Sequence, residues 1–482
     1  MSAATAAMAA ATGKGPVGTM KKLVSLVDRG AFDTIVYPQS EKSTELQPDY
    51  RPYHNFVTDV KVWPFTGVAE WGKRITFTVP QPWEADMLSW LALRIKPMHW
   101  FTPDLYRRIY GIQDWVYTDP DSEWVWAESL GTVAIAKAEM EVDGVIVEQW
   151  SGDWADIWSK TTMNLEKGAG WSDSVTGPLR GTEDGYVYCY LPFWFTRWLN
   201  TSFPLVSCKG AVRFHITLRP FHEVVRMVKT DKTSCDDSPL GKKLRLRDWN
   251  FPFPKFIEKT VGLGVPTMES AELVCGTALI DGELRLAYRD VPHEIMMTPA
   301  QEIRYAEPLK YVVGVPDGDT INISLPIYTE ANGPIRQMFW FLRRKAAGDL
   351  KADWTNYSAT LEGEADPTWN PQRPLLRRAQ LMIGTAVWAD QDEAWWRSQG
   401  ALPLAGGIRV YGNYVYAYNF TEQPNLFDPA GSVNASRADI RLNLEVQQPV
   451  SAIYNEWEVV VFLVGINWMR FENGLANQLF SD

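Results

Sequence analysis

The feature that most constrains this chain is a hydrophobic period of two. Val212, Phe214, Ile216 and Leu218 alternate with Arg213, His215, Thr217 and Arg219. The same alternation runs through Ile75, Phe77 and Val79, through Ile321, Ile323 and Leu325, and through Ile440, Leu442, Leu444 and Val446. Side chains that return to one face every second residue belong to half-buried strands. The 34 Gly and 31 Pro punctuate these runs, as turns between short strands require. Helical spacing is rare: residues 20–29, where Met20, Val24 and Val27 share a face, and residues 390–397. The longest apolar run, residues 459–468, is half the roughly 20 residues of a membrane span and reads as a buried strand. The pattern predicts an all-β protein whose antiparallel sheets pack as sandwiches.

At 482 residues the chain exceeds one ordinary core and suits two domains of about 200 residues each. The polar, Cys- and Pro-containing stretch at 229–256 is the expected linker. It divides an N-terminal arm (1–30) and a first sandwich (31–228) from a second sandwich (257–482). No sequence repeat between the halves is visible. Longer polar loops at 167–185 and 345–374 are expected on the surface.

Composition excludes several classes. The net charge of −11 opposes a phosphate backbone, so no direct nucleic-acid contact is expected. The four cysteines, Cys189, Cys208, Cys235 and Cys275, lack C-x-x-C spacing and read as reduced thiols. Residues 1–12 are Ala-rich without a basic start or a strongly apolar stretch, so no secretory leader is expected. The 23 Trp, 19 Tyr and 20 Phe suit either large protein interfaces or a sugar-binding groove.

Catalytic and metal motifs fail. His222-Glu223 and His293-Glu294 open like H-E-x-x-H, but Arg226 and Met297 replace the second His. Gly13-Lys14 is followed by Gly15, and Met8 stands where the first P-loop Gly belongs. There is no G-x-S-x-G, and the chain has five His. Carboxylate neighbours such as Glu139 with Glu141, or Asp392 with Glu393, read as solvated faces although a glycosidase needs only two. No catalytic residue, metal or cofactor is expected. Sequons at Asn200, Asn322, Asn356, Asn419 and Asn434 are weak glycosylation candidates, and Asn322 sits in a strand pattern.

An ordered set of short motifs carries more information. It runs from residues 23–33 (ending Gly30-Ala31-Phe32-Asp33) and Tyr53-His54-Asn55-Phe56 to residues 141–147 and the Trp-rich 154–158. Leu191-Pro192-Phe193-Trp194-Phe195 and Phe203-Pro204-Leu205 lead into the 212–218 strand. Beyond the linker come His293-Glu294 with Gln301, Ala394-Trp395-Trp396-Arg397, and Pro429-Ala430-Gly431 followed by Asn434, Ser436 and Arg437. Asn467 to Leu475 closes the chain. In this order the motifs resemble the major capsid proteins of nucleocytoplasmic large DNA viruses. Ala430 and Ala435 depart from that family's Ser and Phe. Pro429 and Gly431 suit a turn, Gly431 with positive φ. Asn434 and Ser436 can bind nearby backbone, and Arg437 is a fork donor.

The resemblance implies a double jelly roll: two eight-stranded antiparallel β-sandwiches with few short helices. It also implies homotrimers tiling as pseudo-hexagonal capsomers in an icosahedral shell, with no enzymatic role. Implied partners are neighbouring capsomers, minor capsid and penton proteins, and inner-layer or membrane-associated virion proteins. The implied location is the virion, with assembly in the host cytoplasm. The arm at 1–30 is expected to act in assembly and add little to either core. The alternative is a β-sandwich protein that binds carbohydrate or hydrolyses glycosides.

Overall fold

The computed structural model describes residues 55–98, 124–162, 185–197, 201–227, 267–309, 320–345, 347–348, 352–359, 374–401, 414–422, 430–447 and 456–480. The arm at 1–30, the helix expected at 20–29, the linker at 229–256, and Cys235, Asn200 and Pro429 lie outside these residues.

The alternating runs become strands. In chain order the first are β1 (Phe56–Pro64), β2 (Arg74–Thr78), β3 (Met87–Pro97), β4 (Trp124–Trp126), β5 (Ile135–Val142) and β6 (Val145–Trp150). Next come β7 (Val187–Tyr190), β8 (Phe203–Pro204), β9 (Val212–Leu218), β10 (Val225–Met227) and β11 (Met268–Ile280). Then follow β12 (His293–Met297), β13 (Ala300–Leu309), β14 (Thr320–Pro326), β15 (Pro334–Arg344), β16 (Leu376–Ile383) and β17 (Ala386–Asp392). The last are β18 (Val415–Asn419), β19 (Val433–Asn434), β20 (Ile440–Gln447), β21 (Trp457–Gly465), β22 (Asn467–Glu472) and β23 (Leu475–Gln478). Four helices are described: α1 (Leu130–Val133), α2 (Gly152–Thr162), α3 (Gly282–Asp290) and α4 (Glu393–Ala401).

Two pairs of sheets, each built on four strands, hold most of these strands, with β8 added beside β3 and β19 beside β15. One pair has the orders β1-β11-β3-β7 and β2-β9-β5-β6; the other has β13-β21-β15-β18 and β14-β20-β16-β17. Counted within its own eight strands, each half reads first-eighth-third-sixth and second-seventh-fourth-fifth. That shared order is the jelly roll, and it occurs twice. All pairings among the described residues are antiparallel. A three-stranded sheet, β12-β22-β23, joins the entry to the second sandwich with the strands that follow it.

Turn chemistry fixes the registers. Asp143 and Gly144 both have positive φ between β5 and β6, as do Asn473 and Gly474 between β22 and β23. Asp-Gly and Asn-Gly are the pairs that adopt this tight turn at least cost, and its twist matches that of the flanking strands.

The observed strands depart from the sequence reading in four places. Residues 268–280 were expected in the second sandwich, but β11 lies between β1 and β3 of the first. Periodicity reports a strand without naming its partner, so a closing strand beyond a linker is assigned to the wrong half. The helix expected at 390–397 starts at Glu393, because Asp390 and Asp392 complete the ladder of β17 with β16. Asp392 instead caps it, its carboxylate accepting from Trp395 N at 3.0 Å. The helix α2 was not foreseen. Finally, the described part of the 345–374 loop is interior: Ala352, Tyr357 and Ser358 are buried.

The central strands explain the tryptophan content. On β15, Trp340 faces its own sandwich, 4.5 Å from Tyr416 and 5.8 Å from Trp396 by ring centroids. Its neighbours Phe339 and Phe341 face the other way. They meet Trp154 of α2 at 6.0 Å and Tyr357 at 4.4 Å. Every residue of β21 is buried, since one face packs inside the second sandwich and the other against the first.

Candidate functional site at the seam of the two sandwiches

The most chemically elaborate region is the junction between the sandwiches. It begins at Glu148 near the end of β6. Its side chain is fully buried and accepts three hydrogen bonds from both halves: from Trp194 N at 2.7 Å, Arg197 Nη2 at 2.6 Å and Ala300 N at 2.9 Å. Arg197 also donates to Thr298 O and, at 2.9 Å, to Pro192 O. Burial pushes the Glu148 carboxyl up and Arg197 down, while their contact and the backbone donors oppose both shifts. With each carboxylate oxygen occupied by donors, the geometry is that of an ion pair.

One turn further, the first turn of α2 places Asp153 against the second sandwich. Arg343 grips it with Nη1 at 2.8 Å and Nη2 at 3.1 Å, and Arg304 adds a contact at 2.9 Å. Glu458 on β21 accepts from Arg343 Nε at 2.8 Å and Arg304 Nη1 at 2.7 Å. Burial alone would raise both carboxyls, but Arg343 and Arg304 hold Asp153 and Glu458 below the usual carboxylate range. Arg343 is fully buried, and it also donates to Trp354 O at 2.7 Å. Trp354 lies 3.8 Å below the Arg219 guanidinium and donates to Glu223 O at 2.8 Å, again crossing the junction. Tyr357 donates to Asp156 of α2 at 2.7 Å.

A second set of contacts clasps the halves from the chain end. The β22–β23 turn reaches back to the first sandwich, where Lys209 N donates to Gly474 O at 2.8 Å. Ala476 N donates to Asp143 at 3.2 Å, and Gln478 Nε2 donates to Val147 O at 2.6 Å. Phe471 lies 5.6 Å from Phe203 by ring centroids.

The buried arginines and carboxylates make this seam specific in orientation. Assembled, such pairs add modest net stability, because desolvation offsets their attraction; breaking one leaves a buried lone charge.

The motif residues support these elements. Phe193, Trp194 and Phe195 are fully buried. Trp194–Thr196 is a single 3-10 turn, which aims Trp194 N at Glu148. Phe193 packs 5.0 Å from Trp150 and 5.6 Å from Phe214. Gly431 has φ +133°, and a Cβ there would lie 2.9 Å from Phe420 O. Asn434 Oδ1 accepts from Ser436 N at 3.0 Å, and Ser436 Oγ accepts from Gly333 N at 2.9 Å. The Arg437 side chain has no partner among the described residues; the fork donors of the seam are Arg197, Arg304 and Arg343. Asn356 Oδ1 accepts from Ser358 N at 3.0 Å, and Asn419 Oδ1 from Gln337 Nε2 at 3.1 Å. Asn322 lies on β14. Cys189, Cys208 and Cys275 are buried free thiols.

The sequence reading missed Glu148, Asp153, Arg197, Arg343 and Glu458. One signal was present: Arg343 and Arg344 directly follow the apolar run Met338–Leu342 on the strand Pro334–Arg344, and charges on such a strand need buried partners.

Residues 47–242 match the family model "Major capsid protein N-terminus". The chain is 22% identical over 485 residues to the major capsid protein of Pyramimonas orientalis virus, covering 95% of this chain and 99% of that one. It is 21% identical over 262 residues to the major capsid protein of Chrysochromulina ericina virus, covering 46% and 45%. Among solved structures, it resembles PBCV-1 VP54 with a TM-score of 0.67 at 14% identity, covering 91% of this chain and all of that one. The Faustovirus major capsid protein gives a TM-score of 0.62 at 11% identity, covering 94% and 96%.

Proposed function

We propose, from its kinship with the major capsid proteins of nucleocytoplasmic large DNA viruses, that this chain is the principal shell subunit of such a virus. The observation that carries the reading is the jelly-roll strand order occurring twice in a chain aligned with a viral major capsid protein over 95% of its length. The role is structural.

The finer reading is a homotrimer. Two similar sandwiches per chain let three copies present six similar units, so a closed threefold assembly takes a hexagonal outline and can tile a flat facet. A rigid angle between the sandwiches is then a functional requirement, and the buried ion pairs and terminal clasp of the seam suit it. The first sandwich runs from β1 to β11 and the second from β13 to β21, with α3 and β12 between them. The partners are other copies of the chain, minor capsid and penton proteins, and inner-layer or membrane-associated virion proteins. The location is the virion, after assembly in the host cytoplasm.

The carbohydrate alternative finds less support. A groove of about 1400 Å³ runs along the seam, lined by Glu148, Glu302 and Trp468 among others. Glu148 is held by Arg197, and Glu302 by Arg304 and Ser151 N, an arrangement suited to structure more than to proton transfer. Electron microscopy of the purified protein tests the proposal. Particles of hexagonal outline are expected; isolated bilobed monomers that bind glycans would favour the alternative.

A further inference from the structure

Five motif residues from distant parts of the chain, Gln301, Asn434, Ser436, Arg437 and Asn467, line the one groove along the seam. Four of them hold the backbone of its walls. Gln301 exchanges two hydrogen bonds with the Asn332 backbone, at 2.8 and 3.0 Å. Asn434 and Ser436 fix their own turn and Gly333 N. Asn467 Oδ1 accepts from Trp468 N at 2.7 Å, and its Nδ2 donates to Phe480 O at 2.8 Å. The walls are thus set before anything binds, which lowers the entropic cost of binding. Arg437 is different: it is exposed on the lining and has no partner among the described residues.

The free groups of the groove describe its occupant. Lys137 pairs with Glu139, Glu148 with Arg197, Arg219 with Glu223 and Glu302 with Arg304. Arg437 and Glu330 have no ion-pair partner among the described residues. These two charges sum to zero, so a polyanion gains little here, whereas a protein segment carrying both signs is complementary. Trp150 and Ser151 are 2% and 7% exposed, and Trp150 Nε1 and Ser151 Oγ lack hydrogen-bond partners; both favour an occupant with carbonyl acceptors. At the other end Trp468 and Phe480 are exposed. The strands on the lining, β6, β13 and β23, are edge strands, each paired on one side among the described residues, and a sheet edge favours an extended partner. The volume of about 1400 Å³ exceeds the roughly 300–1,000 Å³ of small-molecule pockets.

We infer that the seam groove binds an extended linear segment of a different virion protein. A carboxylate of that segment meets the Arg437 fork, a basic residue meets Glu330, and a large apolar side chain rests on Trp468 and Phe480. The inference rests on the shell-subunit reading and gives one of its partners a site and a chemistry.

A library of random peptides displayed on phage, panned against the full-length protein, tests this. The selected peptides should share an acidic and a large apolar residue and bind at micromolar concentration by fluorescence anisotropy. Arg437→Glu and Trp468→Ala should each weaken binding about tenfold or more, with circular dichroism unchanged. Trp388→Ala, an exposed change on β17 away from the lining, should bind as wild type does. A photo-crosslinking residue at Ile146, on the lining, should capture the selected peptide, and it decides the matter without either variant. Peptides indifferent to both substitutions, a selection without binders, or an Ile146 crosslink to a second copy of this chain would each overturn the inference. Hexagonal particles in the microscope alongside any of these results would leave the shell-subunit reading standing.

Discussion

Arg94 sits opposite Glu272 on the first sandwich as Arg343 sits opposite Glu458 on the second, in the same strands of the same fold order. One of these pairs is sealed beneath another sandwich, and the other lies at the surface. A charge pair on a sheet face is tolerated in both settings because it is satisfied locally. Burial then adds the Asp153 and Arg304 contacts that fix how the neighbouring sandwich sits.

Removing Glu148 should be among the most damaging single changes. Glu148→Ala strands the buried Arg197 guanidinium and leaves Trp194 N and Ala300 N without their acceptor. A loss of about 3–5 kcal/mol is expected, read from the urea midpoint at constant m-value. A change within 0.5 kcal/mol, on the order of a surface substitution, would show that the junction is not held by this carboxylate.

Acid should weaken the seam. Asp153 and Glu458 are held below the usual carboxylate range in the folded state, so the unfolded chain takes up protons first as pH falls. Their contribution is complete above about pH 5 and is lost as pH falls toward and through the folded values. Glu148 is displaced upward, so its contribution has the opposite sign and partly offsets theirs. The melting temperature should therefore fall between about pH 5 and pH 3. Asp153→Asn should lower it at neutral pH and flatten that slope. An unchanged slope in the variant would remove Asp153 from the account.

Gly431 tests the turn of the Pro-Ala-Gly motif. Its φ of +133° and the 2.9 Å approach of Phe420 O leave no room for a branched side chain. Gly431→Val should cost about 1–3 kcal/mol, seen as a lowered melting temperature. An unaltered melting curve would mean that the turn adjusts freely.

The strands were legible where one face meets solvent. The 212–218 and 440–446 alternations became β9 and β20, because half-burial writes a period of two into the sequence. The strand β15, buried from Ile335 onward, was not legible, because it shows no alternation: apolar residues point to both faces, and Arg336, Arg343 and Arg344 are buried among them. Pairing was also out of reach: β11 joins strands roughly 200 residues earlier, as β1 and β3 show, and periodicity carries no partner. The repeat between the halves is not visible in the sequence, since it survives as register more than as residue identity. Of the seam, the Phe193-Trp194-Phe195 support was recognised as a motif. The carboxylates it positions read as ordinary surface charges, since Glu and Asp look alike in sequence whether solvated or buried.

A shell subunit that works as a homotrimer, as proposed, should carry that form in solution. Its mass in solution is the most direct test. Light scattering coupled to size exclusion, at micromolar protein and moderate salt, should give a single species near three times 54.7 kDa, unchanged on dilution through the micromolar range. A species at 54.7 kDa across the same concentrations would contradict the account.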